Sequence, residues 1–268
     1  MGDKKFTVLD FKRKKEDGKK ITMLTAYDYP MAYAIDRAGI DSILVGDSLA
    51  MVVLGRESTV SVTMDEMLHH AKAVRLGVER AFLIGDMPFM SYQINVEGAV
   101  YNAGRFVKEA GCDAVKVEGG KEICPQVEAI VTAGIPVLGH VGLTPQSMSK
   151  LGGYKVQGRD ASSAEGLLED ARHLEKAGCF AVVLECVPKE LARKITEKLS
   201  IPTIGIGAGR YCDGQVLVTY DMIGYFDRFT PKFVKKYANV SDIVSGAVNS
   251  FKGETESGLF PDDEHSFS

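Results

Sequence analysis

The sequence lacks long hydrophobic runs, a strong net charge and paired cysteines. No uninterrupted apolar segment approaches the roughly 18–20 residues that a membrane span needs, and no apolar signal core is found at the N-terminus. A net charge of −4 gives no field that attracts nucleic acid. The five cysteines form no CxxC pair and are odd in number, which predicts reduced thiols in a cytoplasmic protein. Neither nucleic acid nor a membrane is therefore expected as a partner.

Apolar runs typical of buried parallel strands alternate with helical segments along the whole chain, and no linker separates two halves. The length of 268 residues suits one α/β barrel, typically about 250 residues. The alternation predicts a single (β/α)8 TIM barrel domain over residues 1–268. The predicted strands are Ile21–Thr25, a run that starts at Ser42 and ends at Asp47, Phe82–Asp86, Ala114–Glu118, Pro136–His140, Ala181–Glu185, Thr203–Gly207 and Gln215–Val218.

Both ends of the chain and one connection depart from the repeated pattern. A short amphipathic helix is predicted from Thr7 to Asp17, within the first 20 residues, and a flexible tail rich in Ser, Glu and Asp over 253–268. The connection 208–214 is too short for a crossover helix between strands seven and eight. Either that helix is missing or the eighth strand is misplaced.

Two loops are longer than a barrel requires and are expected to act as lids or substrate loops. They cover residues 49–63, which are too polar and Gly-rich for a simple helix, and residues 141–159. The first loop ends at Thr63, and Glu66 three residues later predicts a capping box that starts a helix.

Carboxylates end three consecutive strands, at Asp47, Asp86 and Glu118. Catalytic groups of barrels come from these C-terminal strand ends. Three converging carboxylates repel one another, so a positive group is expected between them. An all-oxygen ligand set suits Mg²⁺, which takes one or two carboxylates together with waters and substrate oxygens. In the alternative interpretation, each acid is a helix cap or a rim ion pair.

Lys116 and Ser48 are the candidate anion-binding groups beside these acids. Lys116 shares the inward parity of Glu118 on strand four, so it is placed to hold a substrate carboxylate. It is otherwise a Schiff-base lysine or an ion-pair partner of the acids. Ser48 follows Asp47 and either donates to the same anion or caps a helix.

Glu185 ends strand six after four apolar residues and is the candidate general base, because desolvation there would raise its pKa. The alternative is a salt-bridged rim glutamate. His140 is a second proton carrier, a hydrogen-bonding group facing the ligand, or a core histidine, and Cys186 is a nucleophile or a small apolar filler. Together these residues indicate enolate chemistry on a small 2-oxo acid, with a divalent metal polarising its carbonyl.

Several motifs resemble the ketopantoate hydroxymethyltransferase family, and the resemblance covers nearly all of residues 21–237. The motifs are Thr25-Ala26-Tyr27-Asp28-Tyr29-Pro30, Leu44-Val45-Gly46-Asp47-Ser48, Asp86-Met87-Pro88-Phe89, Lys116-Val117-Glu118-Gly119-Gly120, Gly139-His140-Val141-Gly142-Leu143-Thr144-Pro145-Gln146, Gly205-Ile206-Gly207-Ala208-Gly209 and Asp213-Gly214-Gln215-Val216-Leu217-Val218.

The resemblance implies a (β/α)8 enzyme of the phosphoenolpyruvate/pyruvate superfamily. Its reaction moves a hydroxymethyl group from 5,10-methylenetetrahydrofolate to 3-methyl-2-oxobutanoate and gives 2-dehydropantoate. A cytoplasmic homo-oligomer, a decamer, is also implied. By position, Asp47 and Asp86 would bind Mg²⁺ and Glu118 would complete the site directly or through water. In addition, Asp47, Ser48, Asp86 and Lys116 would contact the keto acid, and Glu185 would accept the proton.

Two other functions compete with this one. A Mg²⁺-dependent lyase or mutase of the same superfamily gains support from Gly205–Gly209, since many barrels bind phosphate near strand seven. Such enzymes typically use a loop cysteine, and no cysteine lies on the long loops after strands two and five. A catalytically inactive scaffold barrel is the other competitor, but it has no use for the acids and Lys116 together.

Overall fold

A closed barrel of eight parallel strands, paired in chain order from β1 to β8, forms the centre of the structure. The structure is a computed structural model that describes residues 4–148 and 155–268. It divides the chain into two compact units, Met1–Val218 and Thr219–Ser268. The predicted (β/α)8 TIM barrel is confirmed, with all its strands in the first unit. The single domain over 1–268 stays a prediction. The strands are β1 Ile21–Thr25, β2 Ser42–Val45, β3 Phe82–Asp86, β4 Ala114–Glu118, β5 Val137–Gly142, β6 Ala181–Glu185, β7 Thr203–Ile206 and β8 Gly214–Leu217.

Helices follow most of the strands. The capping box predicted at Thr63 and Glu66 is present, and the Asp160 side chain caps a later helix by accepting from the Ser163 N–H. The loop 49–63, predicted without a simple helix, contains one turn of α-helix and one of 3₁₀ helix. The α-helices of this unit are α1 Val8–Glu16, α2 Tyr29–Arg37, α3 Leu49–Val52, α4 Met64–Arg75, α5 Val96–Ala110, α6 Cys124–Thr132, α7 Ala161–Lys176 and α8 Lys189–Lys198, and the 3₁₀ turns are Thr59–Ser61, Lys121–Ile123 and Pro145–Ser147.

The connection between β7 and β8 contains no helix. Strand β8 pairs with both β7 and β1, so it was placed correctly and the crossover helix is the missing element. Asp213 anchors this short connection: its Oδ2 accepts from the Thr203 N–H at 2.9 Å and from Lys15 Nζ at 2.7 Å. The barrel therefore closes through a loop that a half-buried carboxylate holds in place.

Alternate residues of the strands point inward and fill the barrel with apolar side chains. Phe11 of α1 is fully buried against them, with its ring 5.5 Å from that of Phe82 and 5.0 Å from that of Phe180. Because both partners lie at the N-terminal ends of strands, the predicted N-terminal helix covers that end of the barrel. The cluster comprises Phe11, Ile21, Met23, Leu44, Phe82, Ile84, Ala114, Leu138, Ala181, Val183, Ile204 and Val216.

The second unit contains two α-helices, α9 Thr219–Met222 and α10 Val240–Ser257, and a 3₁₀ turn at Asp263–His265. Residues 253–257, expected to belong to a flexible tail, continue α10. That helix ends at Gly258, whose φ of +72° is suited to a helix C-cap. None of the helices in the described parts of the chain is long and apolar enough to cross a membrane.

Candidate active site

The inward rows of side chains change from apolar to charged at the C-terminal end of the barrel. Strand register pairs Asp86 of β3 with Lys116 of β4, and Glu118 of β4 with His140 of β5. All four side chains are buried, with 1–5% of each residue exposed. Parallel pairing therefore gathers these groups in one layer above the apolar core.

Lys116 is the cation between two of the predicted acids. Its Nζ lies 2.7 and 2.8 Å from the carboxylate oxygens of Asp86 and 3.3 Å from Glu118 Oε1. Asp47 lies just beyond β2, and its backbone N–H donates to Asp86 Oδ2 at 3.1 Å. The structure thus brings together all three acids and the lysine that the sequence singled out.

The charges in this layer are unequally compensated. Burial, reinforced by the charges of Asp86 and Glu118, raises the pKa of Asp47 well above its ordinary value. Burial also raises the pKa of Asp86, despite the contact with Lys116. Burial alone would raise the pKa of Glu118, but Lys116 and His140 lower it overall. The cluster therefore has an excess of buried negative charge.

His140 joins this cluster to Glu185. Its Nδ1 lies 3.3 Å from Glu118 Oε1 and its Nε2 lies 3.3 Å from Glu185 Oε2, without the alignment of a hydrogen bond. Burial alone would lower the pKa of His140, but the two glutamates raise it to about 9. An imidazolium at neutral pH follows, so His140 belongs to the site rather than to the apolar core. The Glu185 side chain is 15% exposed and can be reached by a ligand.

Ser48 lies beside the acids but does not cap α3 with its side chain. Its hydroxyl is 2.8 Å from the hydroxyl of Tyr27. Cys186 follows Glu185 with a positive φ of 49°, and burial raises the pKa of its thiol to about 11. A thiol that stays protonated is a poor nucleophile, so the filler interpretation of Cys186 is favoured.

Two buried polar residues of the site were not assigned a role from the sequence. Gln146 lies in the 3₁₀ turn after β5, and its Nε2 donates to Asp47 Oδ2 at 3.0 Å. Tyr92 lies in the loop after β3, and its hydroxyl accepts from the Glu118 N–H at 2.9 Å. Gln146 ends a motif that carried the family resemblance, whereas no sequence signal marked Tyr92.

The donor set fits a hard cation with few protein ligands. Within residues 4–148 and 155–268, no three His, Cys, Asp or Glu side chains are arranged as a ready metal cage. Direct ligation by Asp47, Asp86 and Glu118 together is therefore not preformed. Mg²⁺ needs only one or two carboxylates, because waters and substrate supply the other oxygens. Asp47 and Asp86, two carboxylates joined by the hydrogen bond from the Asp47 N–H to Asp86 Oδ2, fit that requirement.

Space for a ligand opens at the same end of the barrel, beyond β4 and β5. The cavity has a volume of about 230 Å³ and is lined in part by Gly119, Gly120, Gly142 and Thr144. Gly119 directly follows Glu118, and Gly142 pairs with Glu185 in the sheet. Its wall is completed by Ser163, Leu167 and Asp170 of α7, and none of the charged side chains of the cluster lines it, so this cavity lies between the barrel rim and α7 and not within the charged layer.

The closed parallel barrel and its charged C-terminal layer define an enzyme of the (β/α)8 class. A family model described as ketopantoate hydroxymethyltransferase matches residues 5–263, and the chain belongs to this family. The chain is 60% identical over 253 residues to 3-methyl-2-oxobutanoate hydroxymethyltransferase of Moorella thermoacetica, covering 94% of each chain. It is 58% identical over 264 residues to the enzyme of the same name from Syntrophus aciditrophicus, covering 98% of this chain and 97% of the relative. These matches favour the hydroxymethyltransferase over the lyase or mutase.

Solved structures of lower identity share the fold. Phosphonopyruvate hydrolase in complex with oxalate and Mg²⁺ matches with a TM-score of 0.64 and 14% identity, over 98% of this chain and 92% of the other. The 2,3-dimethylmalate lyase, a member of the PEP mutase/isocitrate lyase superfamily, matches with a TM-score of 0.62 and 16% identity, over 97% and 91%. The barrel architecture is therefore common to both neighbours and this chain.

Proposed function

We infer that this chain transfers a hydroxymethyl group to 3-methyl-2-oxobutanoate and releases 2-dehydropantoate. Family membership gives the reaction, and one observation of the structure supports it. Lys116 contacts Asp86 and Glu118 in a buried layer, and Glu185 lies on the other side of His140. Enolate formation from a 2-oxo acid requires three groups close together: one that binds an anion, one that binds a cation, and a carboxylate base.

We propose that Asp47 and Asp86 hold Mg²⁺, with Glu118 reaching it through water. When bound, the ion would polarise the carbonyl of the keto acid and so acidify the proton on C3. The excess of buried negative charge around Asp47 supports this assignment, because a divalent cation would offset it.

Lys116 acts here as a cation and not as an imine-forming amine. Burial alone would lower the pKa of Lys116, but Asp86, Glu118 and Asp47 raise it overall. The side chain is therefore an ammonium group, which lacks the lone pair that Schiff-base formation needs. We propose that it attracts the substrate carboxylate, together with the hydroxyl of Ser48.

Glu185 is the proposed proton acceptor. The C3–H bond breaks, the proton moves to a Glu185 carboxylate oxygen, and its electron pair forms the enolate. Water opens the methylene bridge of the proposed 5,10-methylenetetrahydrofolate donor and leaves a hydroxymethyl group on one nitrogen. The enolate carbon attacks the carbon of that group, the carbon–nitrogen bond breaks as the carbon–carbon bond forms, and the nitrogen takes up a proton. His140 lies between Glu118 and Glu185. It keeps positive charge beside Glu185 until Glu185 takes up the proton.

Deuterium exchange separates the base from the cation site. The parent protein with Mg²⁺ and keto acid should exchange the C3 proton with D₂O without any one-carbon donor. Glu185→Gln should bind both ligands nearly normally but lose exchange by about 10²–10⁴-fold, the usual contribution of a positioned base. Asp47→Ala should lose metal binding and exchange together. The isopropyl signals of the substrate in NMR spectra report both outcomes.

A matched control is Glu190→Gln, which changes an exposed glutamate of α8 that pairs with Arg193. This control should exchange at the parent rate. Exchange by Glu185→Gln at the parent rate would place the base elsewhere, with His140 as the next candidate. Failure of the parent to form 2-dehydropantoate would refute the proposed reaction itself.

Three further proposals rest on the family resemblance. These are 5,10-methylenetetrahydrofolate as the one-carbon donor, a homo-oligomer that is a decamer, and a cytoplasmic location. Product formation with and without the folate tests the donor, and analytical ultracentrifugation measures the assembly.

A further inference from the structure

Gln146 is bonded to two of the three acids of the cluster. It lies in the turn Pro145–Ser147 after β5 and is 5% exposed. Its backbone N–H donates to Glu118 Oε2 at 3.0 Å, and its side-chain Nε2 donates to Asp47 Oδ2 at 3.0 Å. The second proton of Nε2 is donated to the carbonyl oxygen of Met87, also at 3.0 Å. One residue after β5 thus ties together the ends of β2, β3 and β4.

The chemistry of its neighbours fixes the orientation of the Gln146 amide. Nε2 faces a carboxylate and a carbonyl, which only accept hydrogen bonds. Oε1 lies 2.8 Å from the Tyr92 hydroxyl and 3.3 Å from Nε2 of Gln93, both of which can donate. A flipped amide would place oxygen against the carboxylate of Asp47. The amide is therefore locked with its donors toward the acid.

Asp47 depends on this amide more than the other acids do. Lys116 contacts Asp86 and Glu118, as the distances above show, and it makes no hydrogen bond to Asp47 within the described residues. Among the described residues, the side chain that donates a hydrogen bond to the Asp47 carboxylate is the amide of Gln146, and it contacts Oδ2 alone. Within residues 4–148 and 155–268, no hydrogen bond is found on the other carboxylate oxygen, Oδ1.

We propose that Gln146 is a positioning residue that holds Asp47 by one oxygen so that the other faces the cation. This inference rests on the proposed Mg²⁺ site and deepens it. Outer partners of metal-binding carboxylates fix the ligand orientation, and their loss typically weakens metal binding by about 10–100-fold. Gln146 has this relation to Asp47 and touches no reacting atom.

Metal titration of the full chain tests the assignment. Gln146→Met keeps the length of the side chain but removes its donors, and Gln146→Asn keeps an amide that is one methylene too short. Isothermal titration with Mg²⁺ in the absence of substrate should show Kd raised by about 10–100-fold in both variants. The unfolding midpoint measured in EDTA should fall by only a few degrees, because Asp47 and the Met87 carbonyl each lose one buried hydrogen bond.

Gln215→Met is the matched control. It removes the amide of an exposed glutamine of β8, whose Nε2 donates to the Gly209 carbonyl oxygen at 2.9 Å, and leaves the bonds of Gln146 to Asp47, Tyr92 and Gln93 intact. Its Mg²⁺ affinity should stay near that of the parent.

Parent-like affinity in Gln146→Met or Gln146→Asn would overturn the proposal. A large fall in the metal-free unfolding midpoint of both variants would overturn it too, since Gln146 would then be a structural residue. Absence of Mg²⁺ binding by the parent is a different result, which refutes the proposed metal site itself.

Discussion

Lys116→Met tests how far the buried acids depend on Lys116, the lysine that contacts them in the described part of the chain. The ammonium group lies 2.7 Å from Asp86 and 3.3 Å from Glu118, and the three side chains are 2–5% exposed. Removing one partner of such a buried ion pair costs about 3–5 kcal/mol, because an uncompensated charge remains in a medium of low polarity. For a unit of this size the melting temperature should fall by roughly 6–20 °C.

The loss should depend on pH in a defined direction. In the parent, the pKa of Glu118 is lowered, so its contribution to stability is present above its unfolded pKa near 4.5 and lost as pH falls below it. In Lys116→Met the pKa of Asp86, which is already raised in the parent, should rise further, and the pKa of Glu118 should rise above its unfolded value. Their contribution is then favourable at low pH and is lost as pH rises through the raised values. The difference between variant and parent should therefore be large at pH 8 and small near pH 5.

Urea unfolding at a series of pH values, in EDTA, measures this difference. The control is Lys72→Met, because Lys72 Nζ lies 3.5 Å from Glu109 with side chains that are 50% and 39% exposed. An exposed pair of this kind contributes little, so the control should unfold like the parent at every pH. A loss below about 1 kcal/mol in Lys116→Met, or one that grows toward acid, would refute the assignment of a charged, acid-paired Lys116.

Two further substitutions test the packing that supports the site. Gly85→Ala should destabilise the fold by about 1–3 kcal/mol, because its Cβ would lie 2.8 Å or less from two ring carbons of the buried Phe106. Gly104→Ala, on the same helix as Phe106, meets nothing within 4 Å and should stabilise the fold. Thermal melts in which the two shifts in melting temperature have the same sign would contradict this. Asp36→Ala should lower the free energy of unfolding by at least about 2 kcal/mol, because the buried carboxylate accepts hydrogen bonds from three loop N–H groups, at Glu79, Arg80 and Ala81. Hydrogen exchange of these three amides should become fast in the variant.

The strands and the charged layer could be predicted because their signals are local. Ala114–Glu118 and Ala181–Glu185 combine a short apolar run with a terminal charge, and both strands have these bounds in the structure. The connection between β7 and β8 was also visibly too short for a helix, and only the pairing of β8 with β7 and β1 decided between a missing helix and a misplaced strand. For the two strands, a few adjacent residues carry the whole signal.

The remaining parts of the site depend on contacts between distant loops. Gln146 and Tyr92 are separated by 54 residues, yet their side chains lie 2.8 Å apart. A single glutamine or tyrosine in a loop produces no periodic pattern in the sequence that would predict this contact. The position of His140 between two glutamates likewise follows from strand register and not from its neighbours in sequence. The sequence therefore indicates which residues are charged at the rim but not which polar groups orient them.

The charged layer inherits its geometry from the apolar core beneath it. Asp86 follows Phe82 and Ile84 in one inward row of β3, as Lys116 and Glu118 follow Ala114 in β4, so each charged side chain stands on packed apolar residues. Close packing of those residues restricts the strands to one register, and that register decides that Asp86 faces Lys116. Because the acids cost stability where they are buried, the apolar part of each strand must compensate for them. The same rows of side chains thus support the fold at one end of the barrel and position the charged groups at the other.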